Sequence, residues 1–209
     1  AFLQSAVPAQ GEATPAAARY TLGYCWMRKE QFRQALSYFE PVARGNTTAT
    51  AMEQDAFIRS ADCYYMLRDF TKAGAMYDQA INNALPQGDY AMLQKAMIAG
   101  IKSSSAKIGL LNTLVRQYPQ SGLVPDAYME AANAHITDER FADALPYLTK
   151  IIQLPGNSSL KPAAYLKTGL SYYNLNKNND ALASYRQLLQ LYPQTPEAEE
   201  ATDIIRNIY

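Results

Sequence analysis

The 209-residue sequence has little of what catalytic and metal-binding sites require. Two cysteines and one histidine are too few for a disulfide scaffold or for a zinc site built from thiolates. The sequence also lacks the phosphate-binding glycine loop, the dinucleotide fingerprint, the nucleophile elbow of hydrolases and the paired-histidine helix of zinc proteases. We therefore expect no enzyme activity, no cofactor and no bound metal.

A surplus of charge is absent as well. Nineteen basic residues balance nineteen acidic ones, whereas nucleic-acid surfaces and electrostatic membrane anchors need clustered lysine and arginine. No run of roughly 18 or more apolar residues occurs, so no segment is suited to direct membrane insertion. The partner is expected to be neither a nucleic acid nor a bilayer, although 48% apolar residues suffice for a sizeable core.

What the sequence does contain is an internal repeat. A small residue followed four positions later by a large one occurs at Ala35-Phe39, Ala73-Tyr77, Ala144-Leu148 and Ala181-Tyr185, with a weaker copy at Lys107-Leu111. The first positions of these five copies are 38, 34, 37 and 37 residues apart. Twelve positions upstream, each strong copy has a second small residue, namely Gly23, Ala61, Ala132 or Gly169. A helix breaker closes several copies, as at Pro86, Pro119 and Pro193.

This pattern resembles the tetratricopeptide (TPR) repeat, whose unit of roughly 34 residues pairs two antiparallel helices, A and B. The best local matches are Leu22-Gly23-Tyr24-Cys25-Trp26 and Gly169-Leu170-Ser171-Tyr172. The resemblance implies an all-α fold, a right-handed superhelical α-solenoid of about five helix-turn-helix repeats with a C-terminal capping helix. Facing small residues let the paired helices approach closely, and the stacking of neighbouring repeats completes the core.

We predict one TPR solenoid over 1–209. Its repeats lie near 15–50, 51–87, 88–122, 123–159 and 160–194, followed by a capping helix at 195–209. The A helices are predicted near 15–28, 52–67, 89–101, 124–137 and 161–174, and the B helices near 31–44, 70–83, 104–118, 140–153 and 178–192. Residues 1–14 are predicted to be the tail of a preceding helix B plus a loop, because Phe2 stands 21 residues before Gly23, the interval that separates Leu148 from Gly169. This register favours a chain that continues with more repeats over a short native leader.

Three positions depart from the pattern. Lys107 stands where the third repeat should have a small residue, so either its helices pack more loosely or the lysine stem reaches outward. Pro41 and Pro146 lie inside predicted B helices, and each should bend or shorten its helix because proline has no backbone N–H.

The few reactive side chains have ordinary structural interpretations. Cys25 and Cys63 occupy equivalent places on neighbouring A helices, about 10 Å apart, which is too far for a disulfide or a redox pair. We expect two free, buried cysteines. His135 replaces a large aromatic residue and lacks both partner ligands and a nucleophile at helical spacing. It is expected to be a hydrogen-bonded core histidine instead of a metal ligand or a general base.

In TPR proteins the A helices line a concave groove, and the resemblance implies which side chains face it. The implied groove residues are Tyr20, Tyr24 and Met27 in the first repeat, Ile58, Asp62, Tyr65 and Met66 in the second, Leu93 and Met97 in the third, Met129, Asn133 and Ile136 in the fourth, and Leu166, Leu170 and Tyr173 in the fifth. The set is apolar and aromatic with few charges, which suits adaptable recognition. The carboxylate clamp of some TPR proteins is not expected, because only Asn133 has a suitable side chain. Each member could instead pack against a neighbouring A helix.

The resemblance implies a non-catalytic scaffold that binds a peptide or a protein surface in this groove. The alternative is a structural spacer segment of a longer multi-repeat protein with no ligand of its own. The phrases Tyr118-Pro119-Gln120-Ser121 and Tyr192-Pro193-Gln194-Thr195 resemble bacterial envelope TPR proteins, such as outer-membrane assembly lipoproteins and the Tol-Pal coordinator. That resemblance implies a periplasmic or outer-membrane-associated protein, and without it a cytoplasmic one. An exposed repeat face could also drive self-association.

Overall fold

The computed structural model describes residues 15–156 and 158–208, of which 207 and 208 are described by their backbone only. This described part contains eleven α-helices and no strand. The helices are α1 (Ala16–Arg28), α2 (Phe32–Phe39), α3 (Ala51–Met66), α4 (Phe70–Asn82), α5 (Gly88–Gly100), α6 (Ser104–Gln117), α7 (Val124–Thr137), α8 (Phe141–Ile152), α9 (Lys161–Asn174), α10 (Asn178–Leu191) and α11 (Pro196–Ile208).

The helices alternate as predicted, so the all-α repeat fold is confirmed. Every predicted A helix, now the odd-numbered α1 to α9, begins and ends within one residue of its expected bounds. Among the B helices the exception is α2, which ends at Phe39 because Pro41 follows and cannot donate to the helix. By contrast, α8 continues through Pro146. The predicted helical tail around Phe2 lies outside the described residues.

A left-handed residue ends the A helix in repeats one, two, four and five. Glu30, Arg68, Glu139 and Asn176 have φ angles of 57°, 62°, 57° and 59°. The backbone N–H of each donates to a carbonyl three residues earlier, and the next N–H donates to a carbonyl five residues earlier, as from Gln31 to Trp26. This arrangement satisfies the last carbonyl groups of the helix and reverses the chain into helix B.

The chain forms two compact units, which divide after Ile98 within α5. In unit 1, α1 contacts α2 and α3, and α3 contacts α2 and α4. The predicted seam residues Ala35 and Ala73 are fully buried. Gly23 lies against the Phe39 ring so closely that an added Cβ would come within 2.6 Å of it. Small residues therefore allow the close approach of the paired helices, as the pattern predicts.

In unit 2, α7 contacts α6 and α8, and α9 contacts α8, α10 and α11. Ala132, Ala144 and Leu148 are fully buried in this unit. A Cβ added to Gly169 would lie 2.3 Å from the Tyr185 ring, an even closer approach than at Gly23. Helix α11 covers this core with Ala198 and Ala201, as expected of a capping helix.

Lys107 does not extend away from the protein. Its stem lies against Gly100, where an added Cβ would be 2.8 Å from the lysine Cδ, and its side chain is only 14% exposed. The ammonium group forms an ion pair with Glu130 of α7 at 2.5 Å. A glycine opposite the stem and a carboxylate for the charge thus accommodate lysine where an alanine is expected.

Both cysteines are free thiols. Cys63 is fully buried, as predicted, whereas Cys25 is only partly buried. Burial, together with the nearby Asp62 carboxylate, raises the pKa of the Cys63 thiol to about 12. A thiol with such a high pKa stays protonated at neutral pH and is a poor nucleophile, so its role is to pack.

Candidate functional site

Helix α3 places three charged side chains along one face of unit 1. Asp55, Arg59 and Asp62 follow each other at intervals of four and three residues, so they lie on adjacent turns. The Arg59 Nε atom is 3.4 Å from Asp55, and its Nη1 atom is 2.5 Å from Asp62. The start of α3 is fixed by a capping box, in which the Thr50 and Glu53 side chains each accept a bond from the backbone N–H of the other.

Asp55 connects this face of α3 to α1. The hydroxyl groups of Tyr20 and Tyr24 donate to its Oδ2 atom at 2.8 and 2.5 Å, and the Gln87 amide donates to Oδ1 at 2.9 Å. Burial alone would raise the pKa of Asp55, but these hydrogen bonds and the Arg59 charge outweigh it and lower the pKa. Asp55 therefore stays ionised and holds the two tyrosines in place.

Asp62 connects the same face to α4 and α5. The Tyr77 hydroxyl donates to its Oδ1 atom at 2.6 Å and the Tyr90 hydroxyl at 3.1 Å, while the Arg59 guanidinium lies 5.3 Å above the Tyr90 ring. Burial raises the pKa of Asp62, and Arg59 with the two hydroxyl groups offsets only part of that effect. We call Asp55, Arg59 and Asp62 the α3 triad; it joins four helices of unit 1 through side-chain contacts.

An open cleft of about 460 Å³ lies beside the α3 triad, and we call it the α3 cleft. Its lining combines thioethers, aromatic rings and charges, contributed by Met27, Arg28, Glu30, Phe32, Arg59, Asp62, Tyr65, Met66, Tyr90 and Gln94. A smaller hollow of about 120 Å³ lies near the start of α3 and is lined by Ala51, Gln54, Asp55, Ile58, Leu85, Pro86 and Gln87. We call it the α3 hollow.

The α3 cleft brings together several of the predicted groove residues. Met27, Asp62, Tyr65 and Met66 line it, and Met66 is 52% exposed. The other predicted members in unit 1 are placed differently: Tyr20 and Tyr24 are partly buried against Asp55, Ile58 is fully buried beside the α3 hollow, and Leu93 and Met97 are partly buried on α5.

Sequence reasoning missed the charged part of this site. It expected a surface with few charges, yet Asp55 and Arg59 stand at its centre, and Tyr90 of α5 completes it. The signal was present in the sequence, because an aspartate followed by an arginine four residues later is a typical intrahelical ion pair. The contact with Tyr90 depends on tertiary packing and has no such local signature.

The predicted residues of unit 2 differ in exposure. Met129 and Leu166 are buried, Asn133, Ile136 and Leu170 are partly buried, and Tyr173 is exposed. Ile136 packs on the core around Leu148, and Leu170 packs on the core around Tyr185. A cleft of about 280 Å³ in unit 2 is lined instead by other side chains of α8, α9 and α10, among them Tyr165, Tyr172 and Asp180.

His135 is buried as predicted, but the predicted hydrogen bond is not found at its Nδ1 atom. Nδ1 has no hydrogen-bond partner within the described part of the chain, and the nearest carboxylate oxygen, on Asp143, is 4.0 Å away. The centroid of the imidazole ring lies 5.5 Å from the centroid of the Tyr147 ring. Burial, and secondly the charge of Arg140, lower the pKa of His135, while Asp143 and Asp138 oppose that shift.

We predict that this histidine makes the fold less stable in weak acid. Because its folded-state pKa lies below the ordinary value of 6.5, the unfolded chain binds the proton first as the pH falls through that value. The free energy of unfolding should therefore decrease from about pH 7.5 toward pH 5.5. Since His135 is the only histidine in the chain, the substitution His135→Phe should flatten this part of the profile, measured by urea denaturation at several pH values. An unchanged slope in the variant would contradict the assignment.

Tyr77 and Tyr185 occupy equivalent repeat positions, but removal of their hydroxyl groups should change the free energy of unfolding in opposite directions. Tyr77→Phe is expected to lower the free energy of unfolding by about 1.5 kcal/mol, because it removes a buried hydrogen bond to the Asp62 carboxylate. Tyr185→Phe is expected to raise it by about 1 kcal/mol, because that buried hydroxyl has no partner within residues 15–156 and 158–206. Chemical denaturation of the two variants tests this, and losses of equal size would refute it.

Within the described residues, no three histidine, cysteine, aspartate or glutamate side chains come together as metal ligands. Of the helices described there, none combines the length and the apolar character that crossing a bilayer demands. The α3 cleft and the triad beside it thus remain the candidate site.

Comparison with protein families gives two partial matches. Two models of the tetratricopeptide repeat match the sequence, one over residues 20–90 and the other over residues 163–195. The first match contains the α3 triad and all but the earliest part of α1. A comparison with curated protein sequences gives no significant match.

Solved structures share the fold across most of the chain. MamA from Desulfovibrio magneticus is 15% identical, with a TM-score of 0.63 over 87% of this chain and 97% of that one. A putative kinesin light chain from Podosopora anserina with nearly identical TPR-like repeats is 14% identical, with a TM-score of 0.63 over 85% and 96%. The C-terminal part of a TPR repeat-containing protein from Cytophaga hutchinsonii is 18% identical, with a TM-score of 0.65 over 83% and 65%. At these identities the similarity concerns the fold alone.

Proposed function

We propose that this chain is a tetratricopeptide-repeat protein and a non-catalytic scaffold that binds a segment of another protein in the α3 cleft. The observation that carries the proposal is the cleft itself, an open volume of about 460 Å³ with Met27, Tyr65 and Met66 on its walls. Thioether and tyrosine side chains offer large contact areas that adapt to a partner. TPR proteins as a family bind proteins or peptides, which supports the same function here.

The electrostatics of the site also suit binding better than chemistry. Arg59 is held between two carboxylates, so its guanidinium is fixed in position before a partner arrives. The hydroxyl groups of Tyr77 and Tyr90 already donate to Asp62, which leaves them as supports for the cleft. A rigid, preformed site loses less conformational entropy when it binds than a flexible one.

We further propose that the protein acts in the bacterial envelope, in the periplasm or at the outer membrane, where it assists the assembly of a complex. The support for this step is the resemblance of the repeat endings at Tyr118-Pro119 and Tyr192-Pro193 to envelope TPR proteins. Fractionation of cells that produce the protein natively tests the location. Recovery of the protein only from the cytoplasm would refute this part of the proposal.

Site-specific photo-cross-linking tests the binding function. A photoreactive phenylalanine at Met66, in the α3 cleft, should trap a partner, whereas the same residue at Leu191 should not. The two positions match well, because both are exposed, at 52% and 55%, and both lie at the C-terminal end of a helix. Equal capture at both positions, or capture only at Leu191, would contradict the proposed site. Failure of every surface position to trap a partner would favour the alternative of a structural spacer.

A further inference from the structure

We propose that the partner segment is extended and presents a lysine or arginine side chain between two apolar side chains spaced about four residues apart. This inference rests on the proposed function and adds the chemistry of the partner. It follows from two features of one helix face: the spacing of the α3 hollow and the α3 cleft, and the net charge of the α3 triad, whose members line both.

The hollow and the cleft lie on the same face of α3. The residues of α3 that line the hollow are Ala51, Gln54, Asp55 and Ile58, and those that line the cleft are Arg59, Asp62, Tyr65 and Met66. At 100° per residue, these two sets point within about 40° of each other around the helix. A single partner segment that runs along α3 can therefore contact both.

The spacing of the two cavities sets the length of that segment. The middle of the hollow set and the middle of the cleft set are about eight to nine residues apart along α3, which corresponds to roughly 13 Å at 1.5 Å per residue. An extended chain covers roughly 13 Å in four residues at about 3.3 Å each. One apolar side chain can then enter each cavity, where Ile58 and Leu85 line the hollow and Phe32 and Met66 line the cleft.

The net charge of the α3 triad, whose members line both cavities, selects the central side chain of the partner segment. The α3 triad contains two carboxylates and one guanidinium, and the side chains of Asp55, Arg59 and Asp62 are only 17%, 19% and 8% exposed. At the rim, the charges of Arg28 and Glu30 cancel. One negative charge is left over in a partly buried setting, where it is screened less than on an open surface. A cationic side chain of the partner would neutralise it, and its aliphatic stem would pack on the tyrosine and methionine side chains of the cleft.

Five-residue peptides test the pattern directly. The probes are acetyl-Leu-Ala-Arg-Ala-Leu-amide, the same peptide with norleucine at the centre, the same peptide with glutamate at the centre, and a shortened acetyl-Leu-Arg-Leu-amide. Each is titrated into the ¹⁵N-labelled full chain, and backbone amide shifts are followed by NMR. The arginine pentapeptide should shift amides near both cavities, such as those of Ile58 and Tyr65. We expect it to bind about two- to fivefold more tightly than the norleucine peptide, and the glutamate peptide to bind more weakly still.

Matched variants test the two parts separately. Glu30→Gln should weaken binding of the arginine pentapeptide, and Arg28→Gln should strengthen it, because both exposed residues lie at the rim and differ in the sign of their charge. Ala51→Met should fill the hollow and reduce the affinity of the pentapeptide to that of the shortened probe. Ala75→Met, at an exposed position of α4, is the control and should change nothing.

The outcomes distinguish this inference from the proposed function. Equal affinity of the three pentapeptides would overturn the charge selection, while shifts at the α3 cleft would still support partner binding there. Full affinity in Ala51→Met would overturn the two-cavity spacing. Absence of shifts on α3 with every probe would overturn the inference as a whole, and the cross-linking at Met66 would then decide the proposed function by itself.

Discussion

Replacing Arg59 with methionine is expected to lower the free energy of unfolding by about 3 kcal/mol. Removal of one partner from a buried ion pair typically costs 3–5 kcal/mol, and the lower end applies because a fifth of the Arg59 side chain is exposed. Methionine keeps most of the aliphatic stem, so the loss reports on charge more than on packing. Asp55 and Asp62 would remain partly buried without a cation. Urea denaturation monitored by circular dichroism measures the change.

Three further variants make this prediction specific. Arg33→Met, at an exposed position of α2, should change stability by less than about 0.5 kcal/mol. Arg59→Lys should lower the free energy of unfolding by an amount between those of Arg33→Met and Arg59→Met. Lysine keeps the positive charge but loses the planar guanidinium group and its stacking on the Tyr90 ring. In an Asp62→Asn background, Arg59→Met should cost clearly less, since the two residues act as a pair. A cost that is the same in both backgrounds would show that the two do not interact.

The pH dependence of the Arg59→Met variant provides an independent check. Without the guanidinium, burial raises the pKa of Asp62 further above its ordinary value. A carboxyl group with a raised folded-state pKa takes up a proton on folding, so the fold gains stability as the pH falls through that pKa. The deficit of Arg59→Met relative to the wild type should therefore shrink between about pH 7 and pH 4. A constant deficit would contradict the electrostatic explanation.

The helices could be predicted from the sequence because their determinants are local. The spacing of small and large residues fixes the seam, as Gly23 against Phe39 shows, and a proline after Phe39 ends α2. The fate of Lys107 could not be predicted in the same way. Its position depends on Glu130, which lies 23 residues away, and on Gly100 in the preceding helix. The repeat pattern shows that Lys107 stands where a small residue is expected, but only tertiary contacts determine where its side chain lies.

One repeat position of the predicted groove set is buried in three of the five repeats. The residue three places before the seam residue of helix A is buried in repeats two, four and five, where it is Ile58, Met129 and Leu166. Toward the C-terminal end of helix A exposure increases, as at Met66 and Tyr173. The three buried residues belong to the hydrophobic core clusters of their units. Family register alone therefore does not tell which of the predicted side chains a partner can reach.

Substituting alanine for Gly169 is expected to cost about 3 kcal/mol, the upper end of the range for overpacking a core. An ideal Cβ there would lie 2.3 Å from the Tyr185 ring, well inside van der Waals contact. The ring cannot move aside easily, because Tyr185 is fully buried among Leu166, Leu188 and α11. Alanine otherwise favours a helix over glycine, so a loss in stability runs against the intrinsic helix propensity. Thermal and urea denaturation of the variant measure it.

The same substitution elsewhere in the chain separates packing from propensity. Gly74 in α4 and Gly109 in α6 have nothing within 4 Å of an added Cβ, so Gly74→Ala and Gly109→Ala should each stabilise the fold by about 0.5–1 kcal/mol. Gly23→Ala should be destabilising like Gly169→Ala, because its Cβ would lie 2.6 Å from Phe39. A gain in stability at Gly23 and Gly169 would mean that the paired helices can move apart. Close approach of helices A and B would then not be what the small residues of the repeat provide.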